Sequence, residues 1–110
     1  MNIIFHQMAS LVGSSTPQKV SDPSFIKEGS GIIQSVGFTV DDTNDTKLAL
    51  HLVRGVSKAL IAVSGTITKT APSVVYPWVT VLPDDRFELE VLSGTSGDIV
   101  TVDIRGEWVE

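Results

Sequence analysis

Few side chains in this chain could perform acid–base or nucleophilic chemistry. His6 and His51 are its only imidazoles, and cysteine is absent. His51 stands between two leucines of an alternating run, so its ring should face away from the core. No serine occupies the Gly-x-Ser-x-Gly turn that presents a nucleophile, and two histidines give little scope for a serine triad. The sequence therefore predicts that the protein is not an enzyme.

The densest group of oxygen ligands lies between residues 41 and 45. Asp41, Asp42, Asn44 and Asp45 could bind calcium, but the segment lacks the central glycine and the distal glutamate of a helix-loop-helix calcium site. A solvated turn is the favoured interpretation, with calcium as the alternative. The absence of cysteine excludes a thiolate metal site and disulfides, and the sequence predicts no cofactor.

Two aromatic residues, Tyr76 and Trp78, are spaced to share one face of a strand. Side by side they could form a stacking platform for a glycan. The alternative is a role in the core or in a contact between subunits, because tyrosine and tryptophan are also enriched at protein interfaces.

Composition narrows the possible partners. The chain has 110 residues, enough for one domain with one modest core, and a net charge of −5. Its lysines and arginines are scattered singly, which argues against nucleic acid and against an anionic membrane as partners. No basic residue precedes the short apolar run at Ile3, so a secretory signal is not expected, and no apolar stretch is long enough to span a bilayer. Synthesis in a cytoplasm follows.

Most of the chain alternates with a period of two, which is typical of strands. Strand patterns cover residues 32–40, 74–82, 87–91 and 100–108, and Pro77 favours an edge or kinked position for the second of these. Residues 47–63 also carry leucines and valines at helical spacing, so a helix is the alternative there to two strands. The last two runs, joined by the glycine-bounded turn 94–97, predict a hairpin. Together these patterns predict an all-β, antiparallel sandwich or jelly roll.

Residues 1–30 differ in composition from the rest of the chain. Residues 10–30 are rich in Ser, Gly and Pro, which predicts a flexible N-terminal arm and connector in front of a sandwich domain at 31–110. The segment 1–12 is nevertheless apolar, which predicts a short strand that binds a partner, with packing into the chain's own core as the alternative. Its candidate contact residues are Ile3, Ile4, Phe5, Met8, Leu11 and Val12.

The C-terminal run from Val81 to Val91, followed by Ser93–Gly97 and Ile99–Trp108, resembles the closing hairpin of small β-sandwich virion proteins of tailed bacteriophages. The resemblance implies a structural virion protein that decorates a capsid and stabilises the shell, with the major capsid protein as partner. Apolar surface in excess of what one thin sandwich can bury suggests a homo-oligomer, and a trimer would suit a capsid threefold point. The alternative is a glycan- or receptor-binding module of a phage tail or fibre that uses Tyr76 and Trp78.

Overall fold

The computed structural model describes residues 3–14, 16–22 and 29–109, which form nine β-strands and no helix. The strands are β1 (Ile3–Leu11), β2 (Gln18–Asp22), β3 (Ser30–Val40), β4 (Thr46–Arg54), β5 (Ser57–Ile67), β6 (Ser73–Val75), β7 (Val79–Val81), β8 (Arg86–Ser93) and β9 (Ile99–Val109). The all-β prediction is confirmed. A helix at 47–63 is wrong, because β4 and β5 occupy this segment. Within the described part of the chain, nothing helical is long and apolar enough to cross a bilayer.

The strands form two antiparallel sheets that pack face to face. Sheet A has the order β1-β9-β3, with the short strands β6 and β7 both pairing with the far side of β3. Sheet B has the order β2-β8-β4-β5. Among the described strands, β4 and β5 alone are consecutive in the chain and paired with each other. Gly55 opens their two-residue turn with a φ of 60°, a conformation that glycine adopts without strain.

The core lies between the sheets and consists of the inward side chains of each strand. Phe38 and Val102 come from sheet A, Phe87 and Leu89 from sheet B, and all four are almost fully buried. Each such side chain stabilises the fold by roughly 1.5–3 kcal/mol relative to exposure. Apolar burial thus holds together a chain that contains no cysteine.

A bulge in β3 changes which residues face this core. The simple alternation places Ile32 and Val36 on one face, but the register against β9 shifts between Ile33 and Ser35. Gln34 is the additional residue, so Ile33 and Val36 both point inward and are fully buried. Ile32 consequently lies on the outer face, where it pairs with Glu107.

The N-terminal segment is part of the sandwich. All nine residues of β1 pair with β9, from Ile3 opposite Glu107 to Leu11 opposite Ile99. The arm prediction is therefore wrong for Ile3–Leu11, because alternate apolar residues of this segment enter the core. The remainder of the predicted arm includes β2, which pairs with β8, while residues 1–2, 15 and 23–28 lie outside the described structure.

The predicted C-terminal hairpin is also wrong, although both of its strands exist. β8 lies in sheet B between β2 and β4, whereas β9 lies in sheet A between β1 and β3. The connection 94–98 crosses from one sheet to the other. There the backbone N–H of Gly97 donates to the carbonyl of Val12 at 2.9 Å, and the N–H of Val12 donates to the carbonyl of Asp98 at 2.8 Å. Alternation indicates strands, but it does not determine which strands pair.

Candidate interaction surfaces

The predicted partner-binding segment separates into two faces of β1. Ile4 and Met8, with Val12 just beyond the strand, are buried in the core at 2%, 6% and 1% exposure. Ile3, Phe5 and Leu11 point outward and keep 66%, 58% and 61% of their surface exposed. The six residues therefore do not form one contact surface: half of them hold β1 in place, and the other half are available to a partner.

Two residues of β9 support the outward side chains of β1. The guanidinium carbon of Arg105 lies 5.1 Å from the centre of the Phe5 ring, a cation–π contact. Gln7 Nε2 donates a hydrogen bond of 2.7 Å to Asp103 Oδ1. In both contacts the charged side chain belongs to β9 and the uncharged one to β1. The charges of Arg105 and Asp103 therefore lie one strand inward from the edge of sheet A.

At the end of β1, Leu11 pairs with Ile99, which is itself 45% exposed. We call the outward side chains Ile3, Phe5, Leu11 and Ile99, together with the outer backbone edge of β1, the β1 border. None of the described strands pairs with that outer edge. Ile3, Phe5 and Leu11 belong to the partner-binding segment predicted from the sequence, whereas Ile99 does not, because the pairing of β1 with β9 is not visible in the sequence.

A gap of about 230 Å³ lies beside the β1 border, where β1 of sheet A and β2 of sheet B flank the side of the sandwich. Met8, Val20 and Leu89 contribute apolar lining, and Gln7, Ala9 and Ser21 complete it. Between β1 and β8, His6 stacks on Phe87 with ring centres 6.1 Å apart. The sandwich is thus incompletely closed on the side that carries the β1 border.

Tyr76 and Trp78 lie on an interruption of an edge strand. β6 and β7 pair with β3 in succession, and the tripeptide Tyr76–Pro77–Trp78 connects them opposite the bulge at Gln34. Both rings are exposed, at 66% and 64%, and Trp78 has a φ of 49°, which is uncommon outside glycine. The edge position predicted from Pro77 is confirmed, whereas the shared strand face is wrong. A glycan platform made by these two rings stays a prediction.

The outer face of sheet B carries pairs of polar side chains. His51 Nε2 lies 2.9 Å from Glu90 Oε1, and Lys58 Nζ donates to Glu88 Oε1 at 2.9 Å. The hydrogen bond from Lys58 lowers the pKa of Glu88 below its ordinary value, burial opposes the shift, and the charges of Lys58, Lys19 and His51 add to it. As predicted, His51 faces away from the core. The His51 ring lies beside the carboxylate of Glu90, and the pair of Lys58 with Glu88 lies on the same open face of the sheet.

A buried carboxylate holds the turn before β8. Asp85 is fully buried and accepts hydrogen bonds from Arg54 Nε at 2.9 Å, Arg54 Nη2 at 2.8 Å and the N–H of Leu82 at 2.7 Å. The hydrogen bonds to Asp85 raise the pKa of Arg54. A bidentate pair of this kind holds the two side chains in one geometry. The contacts therefore stabilise the turn, and both carboxylate oxygens of Asp85 are already occupied by hydrogen bonds.

The aspartates at 41–45 stabilise a turn. Asp41 Oδ1 accepts the N–H of Ile99 at 2.7 Å, and Asp42 Oδ1 accepts the N–H of Thr43 at 2.6 Å. Asn44 Nδ2 donates to Asp98 Oδ2 at 3.3 Å. Among the described residues, no group of three or more histidine, aspartate or glutamate side chains is placed to hold a metal ion.

Comparison with known proteins gives similarity in structure only. No protein-family model matches the sequence, and no curated protein does. The Drosophila NLP core, a structure described as giving insight into pentamer formation and histone binding, aligns at 12% identity and a TM-score of 0.49. That alignment covers 99% of this chain and 98% of that one. The nucleoplasmin-like N-terminal domain of Drosophila FKBP39 aligns at 15% identity and a TM-score of 0.49, covering 98% and 92%. At these values the likeness assigns neither a family nor a function.

The matched structures are nucleoplasmin-like domains and not virion proteins. The interpretation as a phage virion protein is wrong, and with it the capsid-decoration function, its tail or fibre alternative, the capsid partner, the homotrimer and the location in a virion. The physical reason lies in the fold. The resemblance rested on a closing hairpin, and β8 and β9 belong to different sheets.

Proposed function

We propose that this chain is a non-catalytic structural module that associates with further copies of itself through the β1 border. The observation that carries this proposal is the exposure of large apolar side chains along an edge strand without charge: Ile3, Phe5 and Leu11 are each more than half exposed. Several large apolar side chains exposed along one strand are typical of an interaction site, whereas single exposed apolar residues are ordinary.

The distribution of charge favours the β1 border as the site of self-association. β1 itself contains no Lys, Arg, Asp or Glu. The outer face of sheet B, in contrast, carries Lys19, Lys58, Glu88 and Glu90. Interface cores are depleted in charge relative to the rest of a protein surface. An acidic chain with a net charge of −5 repels its copies least where the surface is uncharged.

The non-catalytic part of the proposal is supported by the contacts of the polar side chains. His6 stacks on Phe87, His51 lies beside Glu90, and Asp85 holds a turn together with Arg54. Each of these contacts supports a strand or a turn. None of them joins a base to a nucleophile, which is the arrangement that covalent hydrolysis requires.

Sedimentation velocity over a range of protein concentrations tests the self-association. We expect the wild-type chain to sediment as an oligomer at high micromolar concentration and to approach its 11.8 kDa monomer on dilution. The double variant Ile3→Ser/Leu11→Ser should remain monomeric. The matched control is Leu60→Ser, since Leu60 is 56% exposed but lies on sheet B. A monomeric wild type, or equal dissociation by the control, would refute the proposal.

A further inference from the structure

The two sheets have four edges, one of them shared by β6 and β7, and the strands at these edges differ in how well they are protected against pairing with another strand. β5 carries Lys58 and has two register shifts against β4. β6 and β7 are only three residues long and are separated by Tyr76–Pro77–Trp78. β2 has only five residues and includes Lys19. Short length, bulges, prolines and charges are the features by which natural edge strands avoid pairing.

β1 has none of these protective features. It runs for nine residues without proline or a charged side chain, and its register with β9 is continuous from Ile3 to Leu11. No described strand pairs with its outer edge, although the carbonyl of Leu11 at its end accepts a hydrogen bond of 3.1 Å from Gln18 Nε2. Such an edge is the preferred place for the addition of a further strand.

We propose that the strand which adds to this edge is β1 of a second copy, running antiparallel across a two-fold axis at Gln7. This inference rests on the proposed self-association and specifies its geometry. Two identical uncharged edges meet without repulsion, and antiparallel pairing of identical strands satisfies two-fold symmetry. The product is a sheet A that continues from one protomer into the next.

Side-chain sizes along β1 fit this register. With Gln7 on the axis, Ile3 lies opposite Leu11 of the second copy on the outer face, and Phe5 lies opposite Ala9. A large ring thus meets a small residue, and two exposed aliphatic side chains meet each other, which is how cross-strand neighbours stabilise a pair. The gap between β1 and β2 adjoins the same edge in both copies, so pairing also covers its opening.

The size of the edge sets the expected strength. Nine residues rising about 3.3 Å each give an edge roughly 30 Å long, and the molecule is 18 Å across in its thinnest direction. The contact therefore covers about 500 Å² of each copy, less than the roughly 800 Å² per partner of a standard interface. We expect a reversible dimer that dissociates on dilution.

Disulfide trapping tests the axis directly, because the chain contains no cysteine. In Gln7→Cys the two introduced thiols lie opposite each other, with Cα atoms about 4.5–5.5 Å apart, a separation that a disulfide spans. The matched control is Ala9→Cys on the same outward face. Its two thiols lie about 13 Å apart in this register, four residues along the strand. Under mild oxidation we expect a covalent dimer from Gln7→Cys and a monomer from Ala9→Cys.

A charge exchange tests the register independently. Ile3→Lys/Leu11→Lys places like charges opposite each other and should weaken the dimer by roughly tenfold or more. Ile3→Lys/Leu11→Glu places opposite charges there and should restore association. Both positions are exposed in the single chain, so both variants should retain the fold, which circular dichroism and urea unfolding check.

The results separate this inference from the proposal on which it rests. Self-association without a Gln7→Cys dimer and without rescue by the charge exchange overturns the two-fold pairing, and self-association through another surface remains. A wild type that stays monomeric at high micromolar concentration overturns both and leaves the edge open to a strand of a different protein. A covalent dimer from Ala9→Cys but not from Gln7→Cys refutes the axis.

Discussion

Truncation of Ile4 tests whether β1 is an integral part of the core. Ile4 is 2% exposed, and its Cδ1 atom fills the space above Gly31, where an added Cβ would lie only 2.7 Å from it. Ile4→Ala removes three carbon atoms, a transfer loss of about 2.4 kcal/mol at roughly 0.8 kcal/mol each. Gly31 has no side chain that could move into the space, so a cavity term adds to the loss. We expect the free energy of unfolding to fall by about 3–4 kcal/mol.

The measurement is urea unfolding followed by tryptophan fluorescence, with Trp108 as the informative probe because its ring lies near Gly31. A domain of this length has a free energy of unfolding of about 5–15 kcal/mol, so Ile4→Ala should still fold and should keep the wild-type slope against urea. Leu60→Ala, at an exposed position of sheet B, is the control and should stay within about 0.5 kcal/mol of wild type. A loss below about 1 kcal/mol for Ile4→Ala would show that β1 is not anchored in the core.

Three further predictions concern the sheets. Gly106→Ala should lower the free energy of unfolding by about 3 kcal/mol or more, since the added Cβ would overlap the backbone carbonyl oxygen of Ile32 in β3; a folded variant of wild-type stability in urea would contradict this. Ser64→Ala should cost about 1–3 kcal/mol in the same assay, because the Ser64 hydroxyl accepts the N–H of Leu48 at 2.9 Å beside a bulge; no loss would mean that this N–H finds another partner. Because Lys58 lowers the pKa of Glu88, their pair stabilises the folded state above the ordinary glutamate value of 4.5 and loses that effect as pH falls through the lowered pKa. The free energy of unfolding of Lys58→Met should therefore fall less than that of wild type when the pH is lowered below 4.5. Equal losses in urea unfolding at each pH would show that the pair does not stabilise the folded state.

Local patterns in the sequence predicted the strands well, because side-chain alternation follows from backbone geometry. Phe87 and Leu89 alternate with charged residues and are buried as expected, and β4 and β5 form strands on either side of Gly55. Pairing depends on contacts between distant residues, which alternation does not encode. The run after Gly97 therefore looked like the return of a hairpin, although it joins the other sheet.

The candidate surface was predictable only in part. The apolar residues near the N-terminus were recognised as a segment with a partner, but an arm and an edge strand give the same composition. What separates them is the pairing with β9, which buries Ile4 and Met8 and leaves Ile3 and Phe5 outside. The bulge at Gln34 was equally hidden, since a single inserted residue reverses the face of every residue that follows it.

The pairing of β1 with β9 has a consequence for synthesis on the ribosome. Gln7 and Asp103, which are joined by a hydrogen bond, are separated by 96 positions in the chain, so sheet A cannot be completed until nearly all of these residues have left the exit tunnel. Until then β1, the longest uncharged edge of the molecule, has no native neighbour, and unpaired apolar strands are prone to aggregate during folding. Domains usually fold as units during translation. This one cannot complete sheet A until β9 has emerged, and until then the growing chain is most vulnerable at β1.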